Sequence, residues 1–145
     1  MGKIVNGKFI AVLAVIICLA TSLLISQSLL SDPHQEIFPL PAFYLLEMIA
    51  MSLVAAISAF KEGELWNKVV WAAGGIITAF VLMGAWSIGF FFIPTTVLIF
   101  ITAILSWQRH QTQFLIAAIT FTVAFVAQII LMFAAIRVLY PNVMF

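Results

Sequence analysis

Apolar residues fill most of this chain in long blocks that short polar segments separate. The first block covers 9–30, the second 41–60 and the last 114–139. An α-helix needs roughly 20 mostly apolar residues to cross a bilayer, and each of these blocks is about that long or longer. The pattern therefore predicts membrane-spanning helices that are joined by short loops.

A further apolar stretch, 69–107, is about twice as long as one spanning helix requires. Gly89 and Pro94 interrupt it within an aromatic segment, WSIGFFFIP, of the kind that suits a membrane interface. We therefore predict two spans here, 69–87 and 91–107, and one long tilted helix is the alternative. The expected fold is an all-α, polytopic bundle of five transmembrane helices, which forms a single domain over 1–145.

The composition of the chain also indicates a membrane protein. Hydrophobic residues make up 66% of the 145 positions, charged residues make up 8%, and the mean hydropathy is +1.26. A soluble domain of this length could not bury so many apolar side chains, so we expect contact with the lipid bilayer. The net charge of +1 provides no field for nucleic acid, which we exclude as a partner.

The start of the chain also has features of a secretory signal peptide, because Lys3 and Lys8 precede an apolar block. That block is longer than the usual apolar core of a signal peptide, and no small-x-small cleavage pattern follows it. We therefore expect this segment to be retained as the first span.

The positions of the basic residues predict the orientation in the membrane. Five of them fall on one side of a five-span topology: Lys3, Lys8, Lys61, Lys68 and Arg109. Because Lys and Arg are enriched in cytoplasmic loops, we expect a cytoplasmic amino terminus and an external carboxyl terminus. The plasma or inner membrane is the expected location.

The loop between the first two spans contains Asp32, His34 and Glu36. A histidine between two carboxylates could bind a cation or transfer a proton. We favour a solvated linker instead, because nothing in the sequence fixes the surroundings that such a site would need.

Glu47 is an acidic residue inside an otherwise apolar span. A carboxyl at hydrocarbon depth is costly unless it faces protein or water. With 1.5 Å of rise per helical residue, the strongest polar side chains fall in the outer half of the membrane and form a candidate intramembrane site: Glu47, Gln128, Gln27, Ser87, Thr95 and Thr96. This site is either a pocket or permeation path in which Glu47 binds a cation or proton, or a set of interhelical hydrogen bonds.

The directions in which Gln128 and Arg137 point from their helix indicate which of them can be the partner of Glu47. Gln128 and Arg137 are nine positions apart, so at 100° per residue they point about 180° from each other. Gln128 shares its stripe with small residues such as Ala117 and Ala124, whereas Arg137 lies on a bulky aliphatic face. We expect a neutral Glu47 to hydrogen-bond Gln128 or Gln27, with Arg137 facing lipid or a partner subunit.

Small residues predict which helices pack closely. The second span has Ser52 and Ala56 at four-residue spacing, and the third has the adjacent Gly74 and Gly75. Small side chains allow the close approach on which membrane helices depend. We therefore expect the second and third helices to pack together.

The sequence contains none of the familiar catalytic motifs, such as Cys-x-x-Cys, HExxH, GxSxG or a phosphate-binding loop. Cys18 is the only cysteine, and His34 and His110 fall on opposite sides, so neither a thiolate metal site nor a bis-histidine haem is expected. We accordingly predict no catalytic, cofactor-binding or metal-binding residues.

The predicted function follows from these features. We expect a non-catalytic accessory or assembly subunit of a larger membrane complex, in contact with other membrane subunits or with copies of itself. The alternative is a small oligomeric transporter or channel in which Glu47 is the substrate, cation or proton site. A membrane enzyme is a third possibility.

Overall fold

The computed structural model describes residues 2–31, 40–61, 63–84, 88–110 and 114–139. Within these residues the chain has five α-helices and no strand, and each helix includes a segment long and apolar enough to cross a membrane. The helices are α1 (Gly2–Ser31), α2 (Leu40–Phe60), α3 (Glu64–Met83), α4 (Ile93–His110) and α5 (Phe114–Leu139), and a 3-10 turn (Gly89–Phe92) precedes α4. The prediction of an all-α five-helix bundle is confirmed.

The long apolar stretch divides where the sequence predicted, because α3 ends at Met83 and α4 starts at Ile93. The alternative of one long helix is therefore wrong. The helix α3 begins at Glu64 rather than near Val69, and an ion pair of 2.8 Å between Lys68 Nζ and Glu64 Oε1 lies along its first turn. Gly63 precedes the helix with a φ of 124°, a conformation that glycine adopts without strain.

Four helices form a closed circuit, and the fifth lies outside it. The helix α1 packs against α2 and α4, and α3 also packs against α2 and α4. The main contact of α5 is with α3. We call the end of the bundle where α2 begins the Pro41 end, and the end where α2 finishes the Lys61 end. At the Lys61 end the Nζ of Lys8 lies 5.6 Å from the centroid of the Phe60 ring, which joins α1 to α2.

The interior of the four-helix circuit consists of interleaved small and large apolar side chains. This arrangement is what membrane helices need, because close packing and not hydrophobic burial drives their association. The buried members of this core are Ala14, Cys18, Leu45, Met48, Ala55, Ala73, Ile77, Phe80, Phe92 and Ile99.

The helix α5 crosses α3 at Gly75, where the two backbones meet. A Cβ on Gly75 would lie 2.4 Å from the carbonyl oxygen of Phe121 and 3.1 Å from the backbone nitrogen of Phe125. Towards the Lys61 end, α5 also contacts α4, because the ring centroids of Phe121 and Phe100 are 5.3 Å apart. The predicted packing of α2 on α3 is confirmed, but Gly75 serves the contact with α5.

Hydroxyl side chains in this bundle bond mostly within their own helix. Each donates to the carbonyl oxygen one turn earlier, over 2.7–3.0 Å, as Ser58 does to Val54 and Thr78 does to Gly74. The others with this geometry are Ser26, Ser31, Thr96, Thr102, Thr120 and Thr122. These side chains are therefore satisfied locally and do not link one helix to another through the bonds concerned.

Gly75→Ala should destabilise the bundle, whereas Gly74→Ala should not. A Cβ on Gly74 meets its nearest atom, Cγ2 of Ile99, at an ordinary 3.8 Å, but a Cβ on Gly75 must push two backbones apart. We expect a loss of about 1–3 kcal/mol for Gly75→Ala, measured by unfolding in a denaturing detergent with tryptophan fluorescence as the signal. Equal stability of the two variants would contradict the close approach.

Candidate functional site

Three residues at the start of α2 form one face of a cavity at the Pro41 end of the bundle. Pro41, Tyr44 and Glu47 are spaced three apart, so they lie along one side of the helix. The Glu47 side chain is half-buried, and it faces towards α5 across the cavity. The fold thus places the acidic residue of α2 beside protein, as its cost in hydrocarbon requires.

Gln128 supplies the opposite polar group from α5. It is only 6% exposed, and its side-chain amide interacts with the Glu47 carboxyl. Leu131, Met132 and Ala135 follow Gln128 along the same side of α5 and also line the cavity. The Glu47–Gln128 interaction is therefore a direct polar link between α2 and α5.

The cavity lies between α2, α3 and α5 and has a volume of about 270 Å³. Its wall is mostly apolar, and Glu47 and Gln128 are the polar side chains that enter it together with the Tyr44 ring. The residues that line it are Pro41, Phe43, Tyr44, Glu47, Phe80, Met83, Gly84, Ile88, Gln128, Leu131, Met132, Ala135 and Ile136. A largely apolar pocket with a few convergent polar groups is the usual form of a small-molecule site.

Tyr44 fixes α2 to the end of α3. Its hydroxyl donates a hydrogen bond of 3.1 Å to the carbonyl oxygen of Phe80, and its ring meets the Phe80 ring edge to face at 5.0 Å. The N–H of Gly84 donates to the same carbonyl over 2.8 Å. The α3 side of the cavity is held in place by this shared acceptor.

Gly84 and Gly89 approach each other closely beside the cavity. The N–H of Gly89 donates to the carbonyl oxygen of Gly84 over 2.7 Å, and a Cβ on Gly89 would lie 2.5 Å from the carbonyl carbon of Gly84. No side chain other than glycine fits this approach, which brings Ile88 back to the cavity wall.

The other members of the predicted site lie elsewhere. Gln27 is exposed on α1, and its backbone carbonyl accepts the Ser31 hydroxyl. Thr95 and Thr96 are buried in α4 and do not line the cavity. The Thr95 hydroxyl finds no hydrogen-bond partner among the described residues, whereas Thr96 bonds the Phe92 carbonyl. Ser87 lies outside the described residues.

Three loop residues considered as a metal or acid–base site, Asp32, His34 and Glu36, also lie outside the described residues. Within the part of the chain that the structure describes, no three His, Cys, Asp or Glu side chains come together as metal ligands would.

The orientation predicted for α5 is confirmed. Gln128 is buried, and Arg137 is exposed on the other side of the helix. The residues that share the face of Arg137 are exposed as well: Ile119, Val126, Ile130 and Phe133. Of the two amides that the sequence offered as partners, Gln128 lies in the cavity and interacts with Glu47, whereas Gln27 does not line the cavity.

A second polar cluster lies between α1 and α2, and sequence analysis did not identify it. The thiol of Cys18 is fully buried and interacts with the hydroxyls of Ser22 and Ser52. Cys18 and Ser22 are four residues apart on α1, and this spacing in an apolar helix is the signal that could have indicated the cluster. The groups are small and uncharged, so this cluster serves close packing of α1 on α2.

Comparison with known protein families, curated proteins and solved structures gives no match to this chain. A carboxyl and an amide in an apolar cavity can accept and donate hydrogen bonds, hold a proton or pair with an organic cation.

Glu47→Gln should leave the stability of the bundle nearly unchanged, whereas Glu47→Leu should lower it. Glutamine keeps hydrogen-bonding groups opposite Gln128, but leucine leaves the buried amide unpaired. For a membrane bundle we expect a loss of about 0.6–2 kcal/mol with leucine, measured by unfolding in a denaturing detergent.

Arg137→Gln serves as the control for that experiment, because Arg137 is exposed on the far side of α5. It should unfold like the unaltered protein. The Glu47–Gln128 pairing is refuted if Glu47→Gln and Arg137→Gln destabilise the protein equally, since that result indicates an ion pair between Glu47 and Arg137.

Proposed function

We propose that this protein is a non-catalytic accessory or assembly subunit of a larger membrane complex. The position of α5 supports this proposal. The helix packs on the outside of the α1–α4 circuit, and among its described residues only Ala117 and Gln128 are buried. Most of α5 is therefore available to lipid or to another membrane protein.

The exposed face of α5 has the character of a helix-packing surface. It presents a continuous strip of bulky side chains that includes Ile119, Val126, Ile130 and Phe133. Van der Waals contact drives association between helices in lipid, and such a strip offers a broad contact area. Arg137 lies on the same face and gives a partner with an acidic group a charge to pair with.

The proposed orientation has a cytoplasmic amino terminus, five crossings and an external carboxyl terminus, in a plasma or inner membrane. The support is the collection of basic residues at the Lys61 end of the bundle, where Lys8 contacts Phe60 and the Nζ of Lys61 lies 4.2 Å from the Trp66 ring centroid. Basic residues are retained on the cytoplasmic side during insertion.

Reporter fusions test this orientation. A reporter active only in the cytoplasm should be active when fused before Met1 and inactive when fused after Phe145, because the basic residues retain the Lys61 end inside. A second reporter, active only outside, should give the reverse pattern. Activity of both fusions in the same compartment would rule out an odd number of crossings.

A second candidate function is a small oligomeric transporter or channel. The specific observation in its favour is the cavity of about 270 Å³ with Glu47 in its wall, because ionisable residues within spans commonly mark substrate, ion or proton sites. In this case Glu47 binds the substrate, cation or proton, and copies of the chain associate with one another instead of with a different subunit.

Purification from the native membrane in a mild detergent separates the two functions. An assembly subunit should bring down a different membrane protein in fixed stoichiometry, because its α5 face is occupied. Ile130→Trp should reduce recovery of that partner at least about tenfold, as expected when the centre of a packed contact is disrupted.

Leu24→Trp provides the matched control, because Leu24 on α1 is as exposed as Ile130 on α5. Its partner recovery should equal that of the unaltered protein. A homo-oligomer without a stoichiometric partner would refute the assembly role and favour the transporter. Equal recovery from Ile130→Trp and Leu24→Trp would show that α5 is not the contact.

A further inference from the structure

The cavity between α2, α3 and α5 has exposed apolar side chains at its opening, here called the mouth, and polar side chains in its interior. At the mouth, Phe43 of α2 is 58% exposed and Leu131 of α5 is 62% exposed. Inside, Gln128 is 6% exposed and interacts with the half-buried Glu47. Both of these exposed side chains at the mouth are apolar and belong to helices that can cross a membrane, so the mouth suits a molecule that enters from the hydrocarbon.

In the described part of the chain, no cationic side chain lies opposite the Glu47 carboxyl in the cavity. Among the described residues that line the cavity there is no Lys, Arg or His. Tyr44 is the other titratable group there, and its hydroxyl is engaged with the Phe80 carbonyl. A carboxylate can accept about four hydrogen bonds, and the Gln128 amide has two N–H groups to donate. Glu47 therefore retains acceptor capacity that points to a ligand.

We propose that this cavity binds a small lipophilic amine, with its ammonium group paired to Glu47 and its apolar body against the walls formed by α3 and α5. A neutral amine that enters from the bilayer takes up the proton of the Glu47 carboxylic acid. The ion pair that forms has no net charge, and so the cavity tolerates it better than either ion alone.

The lining favours an amine over other ligands of the same size. A metal ion needs several oxygen ligands, and the cavity wall supplies one carboxyl and one side-chain amide. An anion would find no Lys, Arg or His among the described lining residues to pair with. The rings of Tyr44 and Phe80 also line the cavity, and aromatic faces attract an ammonium group more strongly than a neutral hydroxyl.

The volume limits the size of the ligand. Since a water-sized group takes about 30 Å³, the cavity volume of about 270 Å³ holds on the order of ten non-hydrogen atoms. An amine with one aromatic ring and a short alkyl chain meets this limit. Phenylpropylamine is a suitable probe, and phenylpropanol has the same shape without the charge.

This inference names a ligand class for the Glu47 site of the second candidate function, and it rests on that site but not on transport. The assembly role is tested by partner recovery, whereas the ligand is tested by binding to the purified chain. Failure of one experiment therefore leaves the other intact.

Isothermal titration of the protein in lipid nanodiscs tests the proposal. Phenylpropylamine should bind saturably at one site per chain, and phenylpropanol should bind at least about tenfold more weakly, as expected when one member of a buried charge pair is missing. Empty nanodiscs measure the amine that simply partitions into lipid. Equal binding of the amine and the alcohol would overturn the proposal.

Two variants locate the binding. Glu47→Gln should weaken amine binding at least about tenfold and leave phenylpropanol binding unchanged. Glu64→Gln is the matched control, because Glu64 is an exposed acid paired with Lys68 at the Lys61 end, and it should bind the amine normally. Equal amine binding by these two variants would refute the role of Glu47.

A third variant keeps the Glu47 carboxyl and fills the cavity. Ala135→Phe places a ring in the cavity wall on α5 and should abolish binding of both probes while Glu47 is retained. Normal amine binding by a folded Ala135→Phe protein would place the amine elsewhere, and would contradict the cavity as its site.

Discussion

A carboxyl at hydrocarbon depth needs a polar partner inside the protein, and the position of α5 satisfies that need for Glu47. Lipid tails offer no hydrogen bonds, so the neighbour must come from another helix. Gln128 is that neighbour, and it reaches α2 because α5 crosses α3 at Gly75, where the absence of a side chain lets the backbones meet. The steric contact at Gly75 and the polar contact at Glu47 thus fix α5 at two points.

Little else in the described bundle links its helices by directional bonds. Most hydroxyl side chains donate to a carbonyl of their own helix, as Thr78 and Thr102 do, and such bonds add nothing between helices. The fit of small and large side chains therefore carries most of the packing. Tyr44 is an exception, since its hydroxyl bonds the Phe80 carbonyl of α3. Both polar contacts of α2 with α3 and α5 therefore lie near its start.

The sequence was sufficient to predict the features that depend on the length of the apolar runs and on helical periodicity. The apolar runs predicted the helices, and Gly89 with Pro94 predicted the break between α3 and α4. The opposite directions of Gln128 and Arg137 predicted the buried side of α5. It was insufficient for features that depend on which helices meet. Gly74 and Gly75 are equivalent in composition, and only their neighbours in space show that Gly75 alone meets a backbone. Gln27, Thr95 and Thr96 were expected in the same half of the membrane as Glu47, but depth does not determine the side of the bundle on which a residue lies.

The apolar mouth between Phe43 and Leu131 sets the concentration scale for anything that occupies the cavity. A molecule that enters through hydrocarbon equilibrates with its mole fraction in the bilayer, and its dissolved concentration matters only through the partition coefficient. Each buried methylene contributes about 0.8 kcal/mol to that partitioning, so a longer alkyl chain raises the apparent affinity without a new contact in the cavity. Occupancy at this site is therefore a property of the protein and of the surrounding lipid together.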